Sequence, residues 1–241
     1  MKRISLIAIM ALMGIGSVAA KSSTTLPIVG EVVKATNPLI QYVGRVSFDK
    51  NETASFNFPG TSILARFQGS SLKMICRPMT GYFMAQVDGC EPFKVGFNAE
   101  RDSVVTVAAA LPKGEHQVKL MYVIEGLFRT PEFRGFVLDK GCSLVKSPDL
   151  PERKIEFIGN SITCGYGVES IEMTDPFEDE TENHWLTYAN IVSDSLKAQH
   201  TSISRSGIGV YRNYNGPTAG SKENMPWQYE YTLFNKHDEK W

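Results

Sequence analysis

The sequence predicts a two-domain protein, an all-β sandwich followed by a unit of the α/β class. Three observations carry that prediction. Between Val32 and Leu144, short β-branched and aromatic runs alternate with turn residues. A polar segment with two prolines, "VKSPDLPERK" at residues 145–154, breaks the rhythm. Beyond it come a strand "KIEFI", a helical stretch "HWLTYANIVSDSLKAQ" and a strand "TSISRS", the order of a βαβ unit.

The chain opens with "MKRISLIAIMALMGIGSVAA". Lys2 and Arg3 precede an apolar run over residues 4–15, and Val18 and Ala20 sit as a small-residue cleavage signature. That pattern predicts a secretory signal peptide over residues 1–20 and an exported protein, periplasmic or extracellular. The run is too short to span a bilayer, so no membrane span is expected. The whole chain has 241 residues, 42% hydrophobic and 21% charged, with a formal charge of −1. This is the profile of a packed globular chain without the basic footprint of a nucleic-acid binder. After export, Cys76, Cys90, Cys142 and Cys164 would meet an oxidising compartment, where several pairings are open.

The sandwich is predicted over residues 21–148. Its runs are "YVGRVSF", "ASFNF", "SILARFQ", "SLKMICR", "YFMAQVDG", "SVVTVAAAL", "HQVKLMYVI" and "RGFVLDKG". In the first of them, Val43, Arg45 and Ser47 alternate with Gly44, Val46 and Phe48. "PGTS" at residues 59–62, Asp88 with Gly89, and "PKGEH" at residues 112–116 supply turn chemistry. Short strands with such turns suit an antiparallel, jelly-roll-like sandwich.

The second unit is predicted over residues 149–241. Its helix would turn Leu186, Ala189, Ile191 or Val192, and Leu196 to one side. At the carboxyl end of the first strand stands "FIGNSITCGYG", with Ser161 flanked by Gly159, Gly165 and Gly167. Ligands bind at that end of α/β sheets. Two readings stand on pattern alone: Ser161 is a nucleophile on a tight elbow, or it is only the N-cap of the following helix.

"FIGNSITCGYG" resembles the first conserved block of the SGNH (GDSL-like) hydrolases, and "ISRSGIGVYRNYNG" at residues 203–216 resembles their second block as found in carbohydrate esterase family two. The stretches "YVGRVSFDKNETASFNFPGTSILARFQGSSLKM" and "RGFVLDKG" are similar to that family's N-terminal β-sandwich. The resemblance implies a secreted serine esterase that removes acetyl groups from plant polysaccharides of the xylan or mannan type. Its fold would be a jelly-roll-like domain packed on an SGNH-type three-layer α/β/α domain, here incomplete. Ser161 would be the nucleophile. Oxyanion donors would be the N–H groups of Ser161 and Gly209, with Gly207 the less favoured donor. Tyr166 and Tyr211 would touch sugar. No metal or organic cofactor is required for such acyl transfer. Asn160 departs from the commoner family aspartate, which keeps a hydrogen-bonding group and removes a charge.

A serine hydroxyl needs a base. The family places that histidine late, after a Gly-x-Asn-Asp block, and neither motif occurs here. His116 falls in a hairpin turn, predicted at the surface. His184 opens the helix, His200 enters the second strand, and His237 lies in a charged tail "NKHDEKW". Since a βαβ unit takes about 30 residues or more, the stretch after residue 150 has room for two parallel strands. Both points predict a chain lacking the family's C-terminal part, which a longer reading frame would supply. The rival reading is a non-catalytic secreted carbohydrate-binding protein or an inactive fragment. Residues 169–183, "ESIEMTDPFEDETEN", hold seven acidic residues and no basic one, predicted as a solvated loop near the site mouth. Cys164 is read as packing.

Overall fold

A computed structural model describes residues 28–241. The predicted leader lies outside the described residues. Within them, no helix is long and apolar enough to cross a membrane.

Two six-stranded antiparallel sheets form the first part of the chain. One contains β1 (Glu31–Lys34), β3 (Ser47–Phe48), β4 (Ala54–Ser55), β6 (Leu72–Cys76), β9 (Val104–Ala108) and β11 (Glu132–Leu138). The other contains β2 (Gln41–Val43), β5 (Ser62–Gly69), β7 (Tyr82–Val87), β8 (Phe93–Gly96), β10 (Gly114–Tyr122) and β12 (Leu144–Val145). Leu72, Met74 and Cys76 point inward from alternate positions of β6, as do Val118 and Leu120 from β10, because successive side chains of a strand face opposite sides. Phe56, Phe83, Phe97 and Tyr122 meet in the core at centroid distances of 5.1–6.4 Å. Each aromatic removes a large apolar area from water, and their edge-on and offset contacts add further attraction.

The second part is smaller than a complete α/β/α domain. β13 (Lys154–Gly159) pairs in parallel with β14 (Gln199–Ser204), with Gly159 opposite Ser204. A single helical turn, α1 (Ser161–Cys164), and the helix α2 (Tyr188–Ser195) lie between them. Then follow α3 (Met225–Tyr229) and a hairpin of β15 (Tyr231–Leu233) with β16 (Lys236–Lys240). The described residues therefore form a βαβ unit and a hairpin, and three full layers are not built from them. His237, read as part of a charged tail, belongs to β16, where its ring packs on Trp227 and Tyr231.

The predicted helix stripe also differs. The helix is broken at Thr187, which is extended, and α2 buries Ala189, Asn190 and Ser193 while Ile191, Val192 and Leu196 stay exposed. Small residues let the helix sit close to the strand, and the Ser193 hydroxyl is satisfied by the Ala189 carbonyl at 2.7 Å. Ile158 and Ile162 are likewise open to solvent. A parallel sheet is ordinarily covered on both faces, so this is an apolar face without a cover among the described residues.

The two parts are fastened along a continuous seam. Phe58 packs with Ile203, Ile208, Met225 and Phe234 in a second small core. The His184 backbone N–H donates to the Val123 carbonyl at 2.9 Å, and the Asn57 side chain accepts from Phe234 N and donates to Asn235 Oδ1. Arg45 is 1% exposed and reaches from the sandwich side to the carbonyls of Tyr229 and Tyr231 at 2.5 and 2.7 Å.

Candidate active site

The parallel register brings the carboxyl ends of β13 and β14 level with one another, so the turn holding Ser161 and the loop starting at Arg205 rise from the same end of the sheet. Asn160, not Ser161, caps α1: its Oδ1 accepts from the Ile162 N–H at 3.2 Å. This overturns the N-cap role for Ser161, which is the first residue of the turn. Asparagine keeps the cap that an aspartate would make. Gly165 ends the turn at φ 92°, a left-handed conformation that glycine adopts without a side-chain penalty. Ser161 is half-buried. Among the described residues, neither its hydroxyl nor its backbone N–H has a hydrogen-bond partner, while its carbonyl accepts from Gly165 and Tyr166.

Gly159 allows the strand to pass directly under this turn. A Cβ added there would lie 2.0 Å from Thr163 Oγ1, an atom that bonds the Tyr188 hydroxyl at 2.8 Å. Gly159→Ala is expected to displace Thr163 and lower stability by about 1–3 kcal/mol, read as a fall in the urea midpoint at unchanged m-value.

The second block folds on itself. Asn213 Oδ1 accepts from the Gly209 N–H at 3.0 Å, and Gly209 O accepts from Met225 N at 2.8 Å. The Gly209 N–H, predicted as an oxyanion donor, is thus already committed, because the loop closes on Asn213. The Gly207 N–H has no partner among the described residues, and its carbonyl accepts from Tyr214 N. Tyr166 stacks on Phe177 with centroids 3.9 Å apart and planes 13° apart. One face of Tyr166 is covered in this way, and Tyr211 is largely exposed.

The histidines do not meet Ser161. His184 is fully buried: its Nδ1 donates to the Thr163 carbonyl at 2.8 Å, so its Nε2 accepts from His200 Nε2–H at 3.1 Å. His184 does open a helical turn, His184–Leu186, and its ring joins a buried histidine pair at the seam. Burial holds His184 down to about 3 and His200 to about 4, so both rings are neutral near neutrality. His116, predicted at the surface, is buried, bonding Asp88 through Nδ1 and the Pro112 carbonyl through Nε2. His237 is engaged with the Phe234 carbonyl.

The depressed His200 value has a stability consequence. The unfolded chain takes up its proton near pH 6.5, whereas the folded chain refuses it until about pH 4. Folded-state stability is therefore full above pH 6.5 and is lost as pH falls through that window, by up to about 3 kcal/mol. Urea midpoints should fall between pH 7 and pH 4.5, and His200→Gln should flatten that fall; an equal slope in the variant would contradict the assignment.

The acidic loop is not simply solvated. Asp175 accepts from the backbone of Ile171 and Glu172, Arg129 bonds Asp179, and Lys94 bonds Glu169 and the carbonyls of Glu180 and Glu182. Glu182 itself is wholly buried beside Glu125, and burial pushes its carboxyl up to about 9. Glu125 comes from the sandwich side, and its Oε2 accepts from the Ser206 N–H at 2.7 Å, at the root of the second block. Sequence reasoning did not single out Glu125, Glu182 or Arg45. The one available signal was an acid directly after the apolar run "KLMYVI". A cleft on the seam is lined by Val43, Lys119, Asp194 and His200 among others, but Ser161 is not part of its wall.

Residues 42–148 match the family described as carbohydrate esterase 2 N-terminal. The chain thus carries the N-terminal domain of carbohydrate esterase family 2. A cellulase/esterase, CelE, of Acetivibrio thermocellus is 34% identical over 183 residues, 75% of this chain and 22% of that protein. An acetylxylan esterase / glucomannan deacetylase of Cellvibrio japonicus is 31% identical over 220 residues, 86% of this chain and 59% of that one. Among solved structures, a family two carbohydrate esterase from Clostridium thermocellum in complex with cellohexaose superposes at TM-score 0.74 and 32% identity, covering 84% of this chain and 61% of that one. A family two esterase from Cellvibrio japonicus superposes at TM-score 0.79 and 24% identity, a likeness of fold. The chain thus spans less than two thirds of the length of these relatives. The similarity runs beyond the sandwich into the part that carries Ser161, since it covers most of the chain.

Proposed function

We propose that the protein is an exported serine esterase that removes acetyl groups from plant polysaccharides of the xylan or mannan type. The observation that carries this reading is the placement of Ser161, capped by Asn160 and unbonded at its hydroxyl, level with the glycine loop that follows β14, in a chain that carries this esterase family's N-terminal domain. The relatives' names, acetylxylan esterase and glucomannan deacetylase, support the substrate class. The export step rests on the leader pattern of residues 1–20.

In this reading the Ser161 hydroxyl attacks the acetyl carbonyl, the alcohol of the sugar leaves, and water hydrolyses the acetyl-serine. The Ser161 N–H is free to bind the oxyanion, and Gly207 offers a second free N–H, so it takes the place first given to Gly209 unless Asn213 turns away. Each preorganised donor lowers the barrier by roughly 3 kcal/mol. Tyr166 and Tyr211 supply exposed rings suited to sugar C–H faces. The proton acceptor is a histidine supplied by a C-terminal segment with the family's Gly-x-Asn-Asp block, since the four histidines of the chain are committed elsewhere.

The test is hydrolysis of p-nitrophenyl acetate. The 241-residue chain should give negligible serine-dependent turnover, and a frame extended through the late histidine should give activity that depends on Ser161. The second reading, a non-catalytic carbohydrate-binding protein, is favoured by the lack, among the described residues, of a bond between Ser161 and a histidine. One solved relative, 26% identical at TM-score 0.69, is described as having an active site with divergent catalytic and non-catalytic binding functions. Equal rates for the extended chain and its Ser161→Ala variant would favour binding.

A further inference from the structure

Beneath the turn that holds Ser161, Glu125, Cys164 and Glu182 converge from three separate segments, the stretch just past the end of β10, the end of α1, and the close of the acidic loop. One carboxylate oxygen from each glutamate and the cysteine Sγ lie within 4.8 Å of one another. Cys164 and Glu182 are 0% exposed and Glu125 is half-buried.

The hydrogen bonds around the cluster leave it short of partners. Glu125 Oε2 accepts from Ser206 N at 2.7 Å and lies 3.9 Å from Cys164 Sγ. Glu182 Oε2 accepts from the Glu125 N–H at 3.2 Å, but Glu182 Oε1 is buried with no partner among the described residues, and so is Ser206 Oγ. Among the described residues neither glutamate forms an ion pair there: Lys94 is paired with Glu169 and Arg129 with Asp179, while Arg205, whose charge favours ionised Glu125, stays beyond ion-pair distance with its Nε unbonded. A wholly buried carboxylate oxygen without a donor is costly. Three acidic donors meeting in one buried place need either protons or a cation.

We propose that Glu125, Cys164 and Glu182 bind one divalent ion of the zinc type. Two carboxylates and a thiolate form the mixed, borderline donor set that suits tetrahedral Zn²⁺, whereas Ca²⁺ and Mg²⁺ take oxygen ligands only. Bond lengths of about 2.0–2.3 Å place ligand atoms about 3.5 Å apart in a tetrahedron, so the cluster closes by up to about 1.3 Å to hold the ion. Cys164 gives up its thiol proton to solvent as the Sγ–metal bond forms, and any proton on the glutamates leaves in the same way. The ion would tie the sandwich, α1 and the loop root at Ser206 into one piece. It is a structural site, independent of the esterase reading, and it takes no part in acyl transfer.

The full chain, refolded with Zn²⁺ or Co²⁺ and then desalted, tests the site. The expected result is about one metal ion per chain, a near-ultraviolet thiolate-to-cobalt charge-transfer band, and a Tm raised by about 5 °C or more over the metal-free chain. Both metal and band should vanish in Cys164→Ala and persist when Cys76, Cys90 and Cys142 are all changed to alanine. Glu182→Gln keeps the shape of the side chain and should fold but bind at least tenfold more weakly. The proposal is overturned by substoichiometric metal, by a band that survives Cys164→Ala, or by a Glu182→Gln variant that binds as the native chain does. An infrared carboxylic-acid band that Zn²⁺ leaves unchanged would likewise overturn it, in favour of a shared proton.

Discussion

Ser161→Ala is expected to lower the kcat for p-nitrophenyl acetate by about 10⁴-fold or more in a chain extended through the late histidine, while leaving the fold intact. The size follows from the role: without the hydroxyl no acyl-enzyme forms, and what remains is the residual effect of the oxyanion donors and binding. The selectivity follows from the local structure. The Ser161 hydroxyl bonds nothing in the described residues, and α1 is capped by Asn160. Alanine in the first turn of a helix is well tolerated, so the urea midpoint should stay within about 0.5 kcal/mol of the native value. A large stability loss in Ser161→Ala would mean that the serine holds the turn together. Turnover by the short chain that survives removal of each histidine would point to a different base.

Arg45→Met is expected to destabilise the protein by about 3–5 kcal/mol, the largest stability effect of any single side chain on the seam. The guanidinium is buried and donates to the Tyr229 and Tyr231 carbonyls, with its Cζ 4.8 Å from the Tyr229 ring centroid and 5.6 Å from that of Trp241. Glu156 stands 3.9 Å away on the solvent side. Burial lowers the arginine pKa, which Glu156 partly offsets. Methionine fills much of the same volume but leaves two carbonyls in an apolar surrounding without a donor, and charge-assisted hydrogen bonds contribute about 1.5–3 kcal/mol each. Chemical denaturation should show a lowered midpoint with Arg45→Met and a smaller loss with Arg45→Lys, which keeps a charged donor group without the planar fork. An unchanged midpoint in Arg45→Met would mean that the hairpin of β15 and β16 docks without the arginine.

These two residues also mark what was legible in the sequence. Ser161 stood out because glycines and a strand around it leave few conformations for the turn, and because the blocks on either side follow a family order. The sandwich was legible for a similar reason, since alternation in β6 and β10 is set locally by the pleat. Arg45 was not legible. In "YVGRVSF" the polar set Arg45 and Ser47 is buried, while Phe48 is 48% exposed. The face that alternation would assign to water is covered by residues far along the chain, with Ser47 bonded to Glu239 and Arg45 to Tyr229 and Tyr231. The helix stripe failed in the opposite way. Ile191, Val192 and Leu196 are apolar as a core face requires, yet among the described residues nothing packs over them, and Ala189 and Ser193 face the strand instead. His184 and His200, sixteen positions apart, form a pair that only the βαβ crossover brings together. Glu182 has no local pattern at all and Glu125 only its place after an apolar run, because a buried acid is defined by what packs around it.

The central claim is that Ser161 accepts the acyl group. The most direct measurement is acid quench of the extended chain during p-nitrophenyl acetate turnover, followed by tandem mass spectrometry of the peptide that spans residues 153–170. The account predicts an acetyl group on the Ser161 hydroxyl, present during turnover and absent after substrate is exhausted. Acetyl confined to other residues, or turnover that continues at the native rate in Ser161→Ala, would contradict it.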